Sequence, residues 1–162
     1  MATAGVERER KFLVDDLDAA LAVAGPGEHL VQGYLDQAGD QSVRVRCWPE
    51  EGRSVLTVKG PRDGMTRREA ECPVTTEVAE LLLAACGTRV VDKTRRHLAV
   101  EGDGVEWIVD VFHGRHDGLV LAEAELTADE AIIDPPAWCG ADVTDDERYY
   151  NEALARAARP AG

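Results

Sequence analysis

Apolar and polar residues alternate along much of the chain, and the alternation sets most of the predicted elements. VERERKFLV (6–14) reads as a strand. DDLDAALAVA (15–24) switches to helical spacing, with acids in its first turn and Gly25-Pro26 as a stop. HLVQGYLDQ (29–37), SVRVRCW (42–48), SVLTVKG (54–60) and MTRREAECPV (65–74) read as successive strands broken by turn residues. TTEVAELLLAACG (75–87) predicts a helix with a Thr cap, an early Glu and a terminal Gly. VVDKTRRHLAV (90–100), VEWIVDVFHG (105–114) and GLVLAEAELT (118–127) are strands again. TDDERYYNEALARAA (144–158) predicts a closing helix, with Thr144 as cap and Glu147 three residues on.

The sum is about eight strands and three or four helices, an α+β pattern. Short turns between neighbouring strands make the sheet mainly antiparallel. Eight such strands can close into a barrel or make a curved sheet or sandwich. The 162 residues suit one domain spanning 1–162. A net charge of −13 argues against a nucleic-acid partner, although a local basic cluster can still bind a small anion. No apolar run is long enough to span a bilayer, so no membrane partner is expected. Cys47, Cys72, Cys86 and Cys139 lack zinc-type spacing. Residues 1–5 lead straight into a charged strand, which favours reduced thiols and a cytoplasmic location.

Charge is sorted by strand face. Glu7, Glu9 and Lys11 share one face; so do Arg44 and Arg46, Arg67 with Glu69 and Glu71, Lys93 with Arg95, and Glu123 with Glu125. Lys59 and Asp110 complete a set of seven acids and seven bases. A wet face of an antiparallel sheet also alternates. Such a face mixes signs to limit repulsion, however, whereas here like charges come in i, i+2 pairs. Paired carboxylates call for a divalent cation, and paired cations for a polyanion such as a phosphate chain. Alternation alone leaves open whether that face points in or out.

VERERKFLV carries an E-x-E-x-K signature. With QGYL (32–35), VRVR (43–46), LTVKG (56–60), RREAE (67–71), DKTR (92–95), VDVFHG (109–114), GLVLAEAEL (118–126) and WCGADVTDDERYYNEALA (138–155), it resembles the CYTH domain of the triphosphate tunnel metalloenzyme superfamily along nearly the whole chain. The resemblance implies an eight-stranded antiparallel β-barrel forming a charged tunnel, with flanking helices and a C-terminal plug helix. It implies Mg²⁺ or Mn²⁺ as cofactor and hydrolysis or cyclisation of a triphosphate. By position, Glu7, Glu9, Glu123 and Glu125 would be the main metal carboxylates, with Glu69, Glu71 and Asp110 as secondary ligands or water-orienting groups. Lys11, Arg44, Arg46, Lys59, Lys93 and Arg95 would grip phosphate. Tyr34 and Lys11 would lie near the scissile phosphate, with Glu7 and Glu9 acting in catalysis through the metal. Arg148 would close one mouth and reach phosphate.

Two positions depart from the family pattern: Arg96 stands where an aromatic is usual, and Ile108 where a Glu is usual. The leading expectation is an inorganic triphosphatase acting on a small-molecule triphosphate, with homodimerisation open. The alternatives are a nucleotide-directed enzyme on the same fold (a class IV-type adenylate cyclase, a thiamine- or nucleoside-triphosphatase) and a non-catalytic polyphosphate-binding module. His113 and His116 are expected in a hairpin turn rather than at a metal, and Trp107 and Trp138 in packing. No P-loop motif occurs.

Overall fold

The computed structural model describes residues 9–36, 41–63, 66–98, 105–126 and 133–157. Glu7 lies outside them, as does the Arg67 side chain. Nine strands form one antiparallel sheet: β1 (Glu9–Val14), β2 (Ala24–Leu35), β3 (Ser42–Trp48), β4 (Arg53–Asp63), β5 (Thr66–Pro73), β6 (Val90–Leu98), β7 (Val105–Phe112), β8 (Val120–Leu126) and β9 (Cys139–Asp142). Their order is β5-β4-β3-β2-β6-β7-β8-β1-β9. The α+β antiparallel expectation holds, but the closed eight-stranded barrel does not: the described strands form an open sheet with β5 and β9 at its edges. The reason lies at β1. Its edge away from β8 is taken by β9, through Phe12–Asp142 and Val14–Cys139, so β5 cannot pair there.

Two helices cover the apolar side of the sheet. α1 (Leu17–Val23) starts where the Asp16 carboxylate accepts from the Ala19 N–H, 2.9 Å away. Its Ala20 is buried against Phe12, Trp107, Val109, Ala122, Ala124 and Trp138. The Gly25-Pro26 stop falls inside β2, where the ladder with β6 shifts register between Ala24 and Gly27. α2 (Thr76–Cys86) is capped by Thr75, whose side chain accepts from Val78, and ends at Gly87 with φ +60°, a value that favours glycine. Ala79 and Cys86 pack on Val45 and Cys47 of β3. The approach is close enough that a Cβ on Gly33 would lie 2.7 Å from Cys86 Sγ.

The C-terminal segment departs from the single expected helix. Asp146 rather than Thr144 caps a one-turn 3₁₀ helix (Glu147–Tyr149), Tyr150 is extended, and α3 spans only Asn151–Arg156. Thr144 is engaged elsewhere, accepting from the Lys11 N–H at 3.0 Å. Tyr149, Leu154 and Ala155 pack with Tyr34, Val91, Phe112, Leu119, Leu121 and Val143. Tyr34 belongs to the charged side of the sheet, so the C-terminal segment forms a plug over one end of that side. The Nε2–H of His116 donates to the Leu154 carbonyl at 2.8 Å and fastens α3 to the β7–β8 hairpin. Among the described residues no helix is long and apolar enough to cross a membrane.

Candidate active site

With helices on the apolar side, the sorted charges lie on the other, and four of them are buried there. Lys93 is 1% exposed, Asp110 0%, Glu123 3% and Lys11 5%. Arg95 on β6 reaches Glu123 on β8 at 2.8 Å, across the whole of β7. Two strand spacings in a flat sheet are ~9.6 Å, so contact over that gap fits a face that curls inward. The charged face is therefore concave, and the plug lies across one end of it.

Register builds two halves. On one side Glu9 pairs with Glu125, and Lys11 with Glu123. Carboxylate oxygens of Glu9, Glu123 and Glu125 lie within 4.8 Å of one another. Lys11 sits among them, 2.7 Å from Glu123 and 3.0 Å from Glu9. Burial alone would pull the Lys11 ammonium down, but Glu123 and Glu9 reverse this and hold it above its ordinary value. Burial and the Glu123 charge push Glu125 up, a repulsion that a bound cation would relieve. Three hard oxygen donors at this spacing suit a divalent cation such as Mg²⁺ or Mn²⁺.

The other half is cationic. Arg44 and Arg46 project from β3, Lys59 from β4, and Lys93 and Arg95 from β6. Asp110 anchors the β6 pair. It accepts from Lys93 at 2.6 Å and from both Nε and Nη2 of Arg95, at 2.8 and 2.7 Å. Burial raises the Asp110 carboxyl, yet Lys93 and Arg95 outweigh it and hold it far below the carboxylate range. Both of its oxygens are thus engaged by Lys93 and Arg95, and Arg95 Nη2 also bonds Glu123 of the Glu9 group at 2.8 Å. Glu69 lies 2.9 Å from Lys59, while Glu69 and Glu71 lie 3.9 and 3.6 Å from Arg44. The hydroxyl of Thr57 donates to Glu71 and lowers it. Arg46 is pushed down to about 10 by burial and by the nearby Arg44 and Arg95. The Nε–H of Arg44 is buried without a hydrogen-bond partner among the described residues. A crowd of cations with a spare buried donor is matched to an anion.

Tyr34 is on this cationic side, bonded to the Gln32 amide rather than to Lys11. Burial pushes its phenol up to about 12 against the pull of Arg44 and Arg46, so it stays protonated. Arg148 stands apart: it is exposed and held by Asp146 at 2.6 Å. Ile108 is buried on the charged face opposite Glu123, and Arg96 donates to the Gly25 carbonyl instead.

Several residues on this face escape the sequence reading. Gln32 accepts from Arg46 at 2.8 Å, and Asn151 of α3 accepts from Lys93 at 3.0 Å. Glu106 lies opposite Glu125 and pairs with His97 Nδ1 at 2.8 Å. Trp48 follows Arg44 and Arg46 on the same side of β3. Alternation signals Gln32, Glu106 and Trp48; nothing local signals Asn151.

Residues 5–159 match the CYTH domain family, and the chain belongs to it. It is 40% identical over 153 residues to the inorganic triphosphatase of Acetivibrio thermocellus, covering 94% of each protein. It is 36% identical over 151 residues to the inorganic triphosphatase of Nitrosomonas europaea, covering 92% of this chain and 96% of that protein. The crystal structure of the inorganic triphosphatase NE1496 superposes with a TM-score of 0.70 at 32% identity, over 99% of each chain.

Proposed function

We propose that the chain is a metal-dependent triphosphatase that hydrolyses inorganic tripolyphosphate on its concave charged face. One observation carries the reading: a group of three carboxylates and a row of cations share one face of the sheet, with Lys11, Lys93, Asp110 and Glu123 buried in it. The similarity to two inorganic triphosphatases along almost their full length supports the same substrate class.

Glu9, Glu123 and Glu125 hold the cation, Mg²⁺ or Mn²⁺, with Glu7 as a further ligand from the start of the same strand pattern. When bound, that ion supplies Lewis-acid stabilisation and an activated water. Arg44, Arg46, Lys59, Lys93 and Arg95 bind phosphate oxygens and neutralise charge on the transferring group, which is most of what phosphoryl transfer requires. Asp110 holds Lys93 and Arg95 in place, while Glu69 and Glu71 orient Lys59 and Arg44. Lys11, set between Glu9 and Glu123, and the protonated Tyr34 are the candidate donors to the leaving oxygen.

The test incubates the purified chain with tripolyphosphate, ATP or thiamine triphosphate, each with Mg²⁺ or Mn²⁺, and measures phosphate, pyrophosphate and cyclic AMP. Tripolyphosphate is expected to be cleaved fastest, and Glu9→Gln and Glu123→Gln to lose about 100-fold or more in kcat while still binding the anion. No hydrolysis of tripolyphosphate with either metal, or cyclic AMP as main product, overturns the reading.

A further inference from the structure

Trp48 is the one tryptophan on the charged side of the sheet; Trp107 and Trp138 pack edge-to-face, 5.9 Å apart, on the opposite side. It lies two residues beyond Arg46, and alternation puts Arg44, Arg46 and Trp48 in one row. Two guanidinium groups flank its ring. That of Arg53, its partner across the β3–β4 ladder, stacks 3.4 Å from the ring centre, and that of Arg46 lies 5.7 Å away. Glu51 accepts from Arg53 Nε at 2.9 Å and fixes it there.

The indole Nε1–H is buried and has no hydrogen-bond partner among the described residues. So is the Nε–H of Arg44, at the other end of the same row. An orphaned buried donor is costly unless a bound ligand accepts from it. Both orphans border the cations that bind phosphate in the function proposed above, and the acceptor that suits such a row is a phosphate oxygen. The plug covers the Tyr34 end, whereas Trp48 lies towards the opposite end, where Arg53, His97 and Glu9 are exposed.

We propose that Trp48 is a substrate-binding residue, whose indole N–H donates to the phosphate at the open end of a bound polyphosphate, with Arg53 stacked on the ring as the adjoining cation. The inference rests on the triphosphatase reading for its ligand. Ring and guanidinium form one unit: Arg53 adds charge, and Trp48 adds a directional donor that no lysine replaces.

The test follows the three indole N–H resonances of ¹⁵N-labelled protein as tripolyphosphate is added without metal, to saturation fixed by calorimetry. One resonance, the one missing from Trp48→Phe, is expected to move downfield and to exchange more slowly with water. Trp48→Phe keeps the ring and loses the donor; its KM for tripolyphosphate is expected to rise about tenfold, with kcat within about twofold of the parent. Arg53→Gln should keep the moving resonance and raise KM as well. An indole spectrum unchanged at saturation overturns the proposal, and so does an unchanged KM in Trp48→Phe. A parent protein inactive on tripolyphosphate would instead sink the triphosphatase reading, while the resonance would still report whether Trp48 meets the anion.

Discussion

Lys93 concentrates the tension of the whole face in one side chain. It is fully enclosed, 2.6 Å from Asp110 and 3.0 Å from the Asn151 amide oxygen. Burial and the nearby Arg95 charge push its ammonium down to about 8, against the pull of Asp110. As pH rises through about 8 the site loses a cation, so KM for tripolyphosphate is expected to climb while the carboxylate cluster keeps its charge. Stability should move the other way. The unfolded chain keeps this lysine protonated to about 10.4, so between the two values it binds the extra proton and the folded state gains as pH rises. Steady-state kinetics and urea unfolding from pH 7 to 10 check both slopes. Lys93→Gln should show a high KM with no such step. A KM that stays level in the parent across pH 8 would remove Lys93 from the phosphate-binding set.

Elements place these side chains by register, and register is where the sequence was most readable. Strict alternation in VRVR and LAEAEL announced the charged face, and β3 runs over the very residues expected, 42–48. Two features were not readable. β9 is only four residues, CGAD, too short for a period to emerge, yet by occupying the β1 edge it keeps the sheet open. A single C-terminal helix does not form, because a Thr-x-x-Glu capping pattern is local, whereas the Thr144 hydroxyl is drawn to the Lys11 N–H by a tertiary contact. Within the site, the bridge that Arg95 makes between Asp110 and Glu123 depends on a long side chain reaching across a strand, and no pattern states that. The seating of α2 on β2 is a second tertiary requirement, and it can be tested. Gly33 leaves no room for a Cβ beside Cys86 and Leu83. Gly33→Ala is expected to cost about 1–3 kcal/mol by overpacking. Urea unfolding measures it. A loss under about 0.5 kcal/mol would mean that α2 shifts freely on the sheet, as surface substitutions do.

At the scale of the molecule two electrostatic effects compete, and they act on stability with opposite signs as pH falls. The chain carries a net charge of −13, so its surface repels itself at neutral pH. Protonation towards the isoelectric point, about 4.7, relieves that repulsion and favours the folded state. The buried ion pairs respond later and in reverse. Asp110 and Glu123 are both held below their ordinary values by the cations around them, although burial alone would raise them. Below about pH 4 the unfolded chain takes up protons at these positions that the folded chain refuses, and stability falls. Glu125, shifted upward, takes its proton in the folded state first and so adds to the rise above that limb. The expected profile is therefore a maximum near pH 5 with a steep acid limb, read from urea midpoints. Salt separates the causes, since about 0.5 M screens surface charges strongly and buried pairs far less. The rise from pH 7 to 5 should flatten in salt, while the acid limb should persist. An acid limb that vanished with salt would place the stabilising pairs at the surface, and the concave face could not then be the dry, preorganised anion site that phosphoryl transfer needs.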